Sequence, residues 1–557
     1  MIYDQTCASE KRRRRKRNAY PDPDKRVIIN ELVCEGCGDC SVQSNCVAVQ
    51  PVETEFGRKR RIDQSSCNKD FSCVKGFCPS FVTVHGAKPR SKPASVPVAT
   101  EASPDAGIPE PAIPAIDGTY NLIVTGVGGT GVVTVGAILG MAAHLEGKGL
   151  GMIDMAGLAQ KGGAVFSHVR LANHQEDIHA IRVGAGAADL VLGCDLVVSG
   201  NRKVLSAIAK GRTHLVVNTA EVMPGEFTRR PDFSLPAERI KRAIREAAGA
   251  EHADFTDATS LAVSVLGNAL AANMFMLGFA WQRGRVPLSR DALLKAIELN
   301  REAVAMNRAA FAWGRRAAAS PETMRAVEAP APDLAPDLDG VIAKRVAFLT
   351  AYQDAAYAER YAKAVSAVRV REAAIVPGQS ALTDAAARSL FRLMAYKDEY
   401  EVARLYTDGS FQAQVQRTFE GDDLRYEFHL APPLLARRDP ATGRPRKMTF
   451  GPWMMTAFGM LARMKRLRGT ALDPFGYTRE RREERRLVQD FEARLTEIAR
   501  NLTPANHAAA VGLAGLPQRI RGYGPVKARN LEAVRDEEAA LLARFRSQEA
   551  PLATAAE

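Results

Sequence analysis

The sequence predicts an α/β protein built in three parts: a small cysteine-rich module, an α/β domain and a mainly helical C-terminal region. Three observations carry that prediction. Seven of the nine cysteines fall between positions 34 and 78. A strand-like run at 120–125 feeds a glycine loop and then a helix-like run at 131–145. From 341 to 546 the pattern is predominantly helical. A chain of 557 residues has room for several cores at roughly 100–200 residues per domain. Its 46% apolar and 25% charged content excludes a disordered polymer, a collagen-like repeat and a disulfide miniprotein.

In chain order, residues 1–26 open with Ile2-Tyr3, which reads as the end of a strand, followed by the adjacent cations of 11–17. Such charges repel one another and stay solvated, so this is a surface segment or docking arm. Residues 27–86 form the cysteine module. Residues 87–118 hold seven prolines among Ala, Ser and Glu and read as an extended, semi-rigid linker. The α/β pattern spans 119–316, with strand-length apolar runs at 190–198 and 214–218 and helical segments at 261–281 and 291–315. Residues 317–340, with Pro330, Pro332 and Pro336, form a second linker. Within 341–546, Leu424, Tyr426, Phe428 and Leu430 alternate as in a strand, and the Arg/Glu run at 479–486 reads as a solvated helix face. No internal repeat is evident.

Two uncharged stretches, 122–143 and 258–282, exceed the roughly 20 residues of a bilayer span. The first is broken by six glycines and the second carries Asn268 and Asn273, so neither is read as membrane-spanning. The order of residues at the N-terminus is wrong for a secretory signal, and the expected compartment is the cytoplasm.

The cysteines are the sharpest signal. Cys34-x2-Cys37-x2-Cys40 lets one loop present three thiolates to three irons of a cubane, with a remote cysteine as the fourth ligand. Cys67, Cys73 and Cys78-Pro79 follow, and bacterial ferredoxin motifs also end in Cys-Pro, their last cysteine serving the other cluster. That crossover assigns Cys34, Cys37, Cys40 and Cys78 to one 4Fe–4S cluster. Cys46, Cys67 and Cys73 remain for a second, one thiolate short, with Asp70 at the spacing of the missing one. A carboxylate or water on one iron and a 3Fe–4S cluster are both open. Cys46 departs from the usual pattern, since five residues separate it from Cys40 and no proline follows. Structural zinc normally takes separated pairs rather than a triple, and a chain without an export signal disfavours disulfides. The module is therefore read as ferredoxin-like, with one or two iron–sulfur clusters. Cys194 reads as a core thiol; Cys7 is open between a site thiol and a bland one.

The segment 121–132 places Gly126, Gly128, Gly129, Thr130 and Gly131 between a strand and a helix N-terminus, where free N–H groups favour an anion. Asp154 lies further on, where a ribose-binding carboxylate could sit, and a tight β–α turn without ligand explains the same glycines. Gln160, Lys161 and Gly162 form a polar loop before a strand carrying Ser167 and His168, either facing a cofactor or making a surface hairpin. The nine histidines show no metalloprotease spacing, and no nucleophile elbow occurs.

In this order, these motifs resemble the C-terminal half of the fused indolepyruvate ferredoxin oxidoreductases, within the 2-oxoacid:ferredoxin oxidoreductase superfamily. The carriers lie at 3–16, 33–40, 65–84, 126–132, 154–163 and 296–315. The resemblance implies oxidative decarboxylation of an aryl 2-oxoacid with thiamine diphosphate, magnesium and coenzyme A, electrons passing through iron–sulfur clusters to ferredoxin. It implies that 119–316 is the gamma-type catalytic domain and that 1–26 is the end of a thiamine-type domain plus the basic arm. No thiamine-binding signature is present, so that cofactor is expected on a partner chain, in an oligomer, with this chain a separate subunit or the product of a truncated gene. Two other readings are a nicotinamide-dependent iron–sulfur subunit, using Gly126–Gly131 and Asp154, and a nucleic-acid-binding protein, suggested by the net charge of +13. Few aromatics interleave the basic residues, so neither nucleic acid nor membrane is expected as a partner.

Overall fold

The computed structural model describes residues 6, 8–90, 104, 106–156, 163–325, 337–432 and 445–547. The chain divides into two compact units, Met1–Tyr20 with Ser91–Phe227 and Asp232–Ala331, and Pro21–Arg90 with Thr228–Pro231 and Pro332–Glu557.

The first unit is built on a six-stranded sheet in the order Ala253–Thr256, His214–Asn218, Leu190–Gly193, Thr119–Val127, Ala164–Ala172, Gly149–Ala156. The first four are parallel, and Ala164–Ala172 runs antiparallel to both of its neighbours. Side chains alternate between faces, as a two-residue period requires. Leu122, Val124, Leu190, Leu192 and Val216 join one core with the helices Val132–Leu145, Ala272–Gln282 and Val304–Ala319. Ile123, Val191, Leu215 and Val217 join the other, against Ala237–Ala248. Two of these helices cross through glycine: a Cβ on Gly278 would lie 2.0 Å from the Phe311 carbonyl oxygen, and one on Gly314 2.0 Å from that of Phe275.

Several expected elements change. The apolar run at 190–198 is a strand only over Leu190–Gly193, because Asp195 then caps a short helix by accepting the Val198 N–H at 2.8 Å. The segment 261–281 breaks at Gly267 and Asn268, and 291–315 breaks where Arg301 and Ala303 adopt left-handed φ of 58° and 46°. Part of the proline stretch lies on the sheet unit, where Gln282 donates to the Pro109 carbonyl at 2.9 Å and Asn173 to that of Ile116 at 3.1 Å. The basic segment forms a helix, Ala8–Lys16, with Arg13 and Arg14 paired to Glu10. Ile2, Tyr3 and Cys7 lie outside the described residues.

In the second unit, Lys25–Ile29, Phe81–His85, Arg425–Leu430 and Met448–Phe450 form one antiparallel sheet. The strand expected near 424–430 is present, and its partner is the cysteine module. A hairpin of Val49–Val52 and Lys59–Ile62 completes that module. Phe419–Glu420 pairs with Lys88–Pro89, and the rest is mainly helical, around a core running from Leu349 to Phe545. The run at 479–486 is a solvated face only in part, with Arg479, Arg482 and Arg486 exposed. Arg481 and Glu484 are buried together, with Glu399 and Lys527 as further partners, because this turn of Arg479–Asn501 faces neighbouring helices. Among the described residues no helix is long and apolar enough to cross a membrane.

Candidate functional site

The loop bearing the first three cysteines is tied by Asn30, whose side-chain oxygen accepts the N–H of Leu32 (3.1 Å) and Val33 (3.3 Å). Gly36 is required by more than its φ of 68°: a Cβ there would lie 2.0 Å from the Arg58 carbonyl oxygen. Asp39 starts the helix Asp39–Ser44 and accepts the Phe77 N–H at 2.7 Å, fastening this loop to the one that carries Cys78. The result is a small cavity lined by Cys34, Cys37, Cys40 and Cys78, with Gly38, Arg60 and Phe81.

The electrostatics sort the thiols into the same two groups as the spacing. Burial pushes the Cys34, Cys37 and Cys40 thiols up, and negative charge at Cys78 pushes each further. Burial, then Cys46, then Cys67 and Asp70, push Cys73 up to about 12, and Cys46 and Asp70 also raise Cys67. All the described cysteines are free thiols. Among the described residues no three Cys, His, Asp or Glu side chains are gathered as the ligands of a single metal ion.

The backbone repeats where the sequence pattern does not. Gly36 and Gly38 flank Cys37 at φ 68° and 76°; Lys69 and Phe71 flank Asp70 at 54° and 60°. The Gly36 N–H donates to the Cys34 sulfur at 3.4 Å, and the Lys69 N–H to the Cys67 sulfur at 3.4 Å. Left-handed φ at Lys and Phe costs of order 1–3 kcal/mol each and persists only where surroundings enforce it. Asp70 thus occupies the loop position of Cys37; it is exposed and accepts the Ser72 N–H (3.1 Å) and hydroxyl (3.0 Å).

In the sheet unit, the Val127 carbonyl accepts the Thr130 hydroxyl at 2.7 Å, and the Gly128 N–H donates to the Gly163 carbonyl at 2.7 Å. Gly126 has a packing reason, since a Cβ would lie 2.6 Å from Val132 and 3.2 Å from Cys194. Gly129 and Gly131 adopt φ of 87° and 99°, and no side chain caps the helix Val132–Leu145 that follows. Asn273 braces the loop by donating to the Thr130 carbonyl at 3.0 Å. Gly126, buried Asp195 and Asn218 all lie at the carboxyl ends of parallel strands, where open α/β sheets bind ligands. Gln160, Lys161 and Gly162 lie outside the described residues.

Asp154 does not sit where a nicotinamide ribose needs it. Its strand is separated from Thr119–Val127 by Ala164–Ala172, and its carboxylate accepts the Ser167 hydroxyl. His168 is a satisfied interior histidine, accepting the Val183 N–H at 3.2 Å, with its pKa lowered by burial and by Arg182. Cys194 is buried. Nothing in the sequence around Arg60, Asn218, Asn273 or Lys447 marks them as site residues, and only long-range packing brings them in.

Residues 121–317 match the family described as pyruvate ferredoxin/flavodoxin oxidoreductase, and 338–540 match a family of unknown function. The chain is 31% identical over 202 residues to an indolepyruvate oxidoreductase subunit IorB of Pyrococcus horikoshii, 36% of this chain and 96% of that protein. The IorB subunit of Methanothermobacter thermautotrophicus is 29% identical over 183 residues, 32% of this chain and 87% of that one. Among solved structures, pyruvate oxidoreductase subunit PORC of Thermotoga maritima aligns at 20% identity and TM-score 0.27, over 36% of this chain and 96% of its own. A 2-oxoglutarate:ferredoxin oxidoreductase of Magnetococcus marinus, solved with 2-oxoglutarate, coenzyme A and succinyl-CoA bound, aligns at 17% identity and TM-score 0.27, over 39% and 33% of the respective chains. The chain belongs to the 2-oxoacid:ferredoxin oxidoreductase family.

Proposed function

We propose that this chain is the iron–sulfur and gamma-type part of an aryl 2-oxoacid (indolepyruvate) ferredoxin oxidoreductase, working in the cytoplasm with a separate chain that binds thiamine diphosphate and magnesium. The balanced reaction converts a 2-oxoacid anion and coenzyme A to acyl-CoA, carbon dioxide, one proton and two electrons, which leave singly to ferredoxin. The observation that carries the reading is the gathering of Cys34, Cys37, Cys40 and Cys78 around one cavity, with Cys46, Cys67, Cys73 and Asp70 as a second group.

These residues fit iron–sulfur clusters. Buried Cys34 and Cys40 and half-buried Cys37, whose ionisation is opposed by burial and then by Cys78, suit a strongly positive centre, which deprotonates coordinating thiols. The N–H groups of Gly36 and Lys69 already point at sulfur, and Arg60 brings a buried cation to the first group. When bound, the clusters supply one-electron transfer between the partner's reaction centre and ferredoxin. Within this chain, the loop Gly126–Gly131 and the uncapped start of Val132–Leu145 bind the phosphates of coenzyme A, the N–H groups coming from Gly129, Gly131 and the first turn of the helix. The helix Ala8–Lys16 steers acidic ferredoxin or holds the partner chain.

Anaerobic purification tests the reading. Protein-bound iron with acid-labile sulfide in two spectroscopically distinct centres is expected, and coenzyme A should bind more tightly than nicotinamide. Colourless protein containing zinc, or tight nicotinamide binding, overturns it.

A further inference from the structure

The sheet of Lys25–Ile29 and Phe81–His85 has two faces. Val27, Ile29 and Phe81 pack with Cys34, Cys40 and Cys73, whereas Ile28, Val82 and Val84 pack against Tyr406, Phe411, Phe428 and Phe458 from far along the chain. Without residues 338–540 this second face would lie in water, and a module of 27–86 is too small to bury both. The strand Arg425–Leu430 extends the sheet, with Phe428 opposite Val82 and Tyr426 opposite Val84. The tip of the module's hairpin enters the helices: Phe56 lies 5.0 Å from Phe348 and 5.3 Å from Phe391, and Glu55 pairs with buried Arg345 at 2.6 Å.

Several contacts from this region fall beside cysteines. The Tyr523 hydroxyl donates to the carbonyl of Val33, which precedes Cys34, at 2.6 Å, and the Tyr406 hydroxyl donates to that of Pro79, which follows Cys78, at 2.6 Å. Gly522 packs on Cys37, where an added Cβ would lie 3.3 Å from the cysteine Cβ, and Gly524 packs on Phe77. Lys447 donates to the carbonyl of Val74, which follows Cys73, at 3.0 Å, and its ammonium lies 5.2 Å from the Phe81 ring centroid. Phe81 itself packs with Cys34, Cys40 and Cys73, so the ammonium stands beside members of both thiol groups.

We propose that residues 338–540 are the redox housing of the cysteine module: they close the four-thiol cavity to water, and Lys447 holds a positive charge between the two thiol groups. The inference rests on the iron–sulfur reading and gives the helical region its task. An iron–sulfur cluster held by these cysteines would supply one-electron transfer, so the negative charge beside Lys447 would differ by one between its two states. A fixed cation favours the reduced state, while exclusion of water disfavours it; the housing sets the balance.

The test uses the full chain, reconstituted anaerobically with iron and sulfide and titrated electrochemically under EPR. In Lys447→Met the reduced-to-oxidised ratio of at least one cluster, at fixed poise, is expected to fall about tenfold, equivalent to about 59 mV for one electron. Lys447→Arg should restore it to within threefold, with iron content equal to wild type in both. Tyr523→Phe should release iron to a chelator several-fold faster. Ratios within twofold of wild type in Lys447→Met, at full iron content, overturn the charge role; unchanged iron release in Tyr523→Phe overturns the closure role. If Lys447→Met does not fold, Lys447→Gln decides by the same criterion. Wild-type chain that takes up neither iron nor sulfide refutes the iron–sulfur reading itself, and the housing with it.

Discussion

Substitution of Asp70 probes the least symmetric feature of the second cysteine group. Asp70 stands midway in Cys67-x2-Asp70-x2-Cys73, between Lys69 and Phe71 at φ 54° and 60°, as Cys37 stands between Gly36 and Gly38 at 68° and 76°. A thiol introduced at 70 therefore starts from a backbone that already presents one at 37. Its cost is small: Asp70 is exposed, and the two bonds it accepts from Ser72, at 3.1 and 3.0 Å, contribute about 1 kcal/mol each at most in water. Its gain is a fourth thiolate, the complement that a 4Fe–4S cluster uses. Asp70→Cys is expected to carry about one more iron per chain than Asp70→Ala, whichever of the two the wild type resembles. Iron and labile sulfide per chain, with EPR of oxidised and reduced samples, read this directly. Three-iron character in Asp70→Ala and its loss in Asp70→Cys are expected. Equal iron and identical spectra across the series would refute the placement of Asp70 at an iron corner.

Three further outcomes follow from the same geometry. Gly278→Ala should destabilise the α/β unit by about 3 kcal/mol, seen as a lowered urea midpoint, because the added methyl meets the Phe311 carbonyl at 2.0 Å in a backbone-to-backbone crossing; an unchanged midpoint would mean the helices can separate freely. His429 on Arg425–Leu430 is lowered to about 4, chiefly by burial and then by Lys447, opposed by Glu427. A histidine held neutral gives stability that is complete above its ordinary 6.5 and lost as pH falls through about 4, here about 1–2 kcal/mol after allowing for its partial exposure. The stability of His429→Gln should consequently vary less than that of wild type between pH 7 and 4, and parallel curves would contradict this. Neutralising the cations of 11–17 should slow reduction of an acidic ferredoxin mainly at low salt, since a Debye length of about 8 Å at physiological strength screens the arm; a rate deficit independent of salt would remove the steering role.

The motif-bearing elements were readable from the chain because their causes are local. Tight spacing of Cys34, Cys37 and Cys40 obliges one loop to carry all three, and Tyr120 to Thr125 followed by glycines can only enter a helix through a turn. The alternation of Leu424 to Leu430 likewise marks a strand by period alone. What pairs with that strand is not a local property. Its partner, Phe81–His85, lies more than 300 residues earlier, and nothing in either segment names the other.

The same division holds at the site. Sequence by itself determined which thiols one short stretch brings together, since their spacing is a property of a few consecutive bonds. Tertiary structure alone decided that Asp70, already at the spacing of Cys37, is exposed and flanked by left-handed Lys69 and Phe71, that Asp154 is separated from the glycine loop's strand by Ala164–Ala172, and that Arg481 and Glu484 are interior. It also decided that Lys447, Tyr406 and Tyr523 reach the cysteine module. The physical reason is common to all four: whether a charge or hydroxyl meets water or a distant backbone is settled by which apolar faces pack together, and packing is a property of the whole chain.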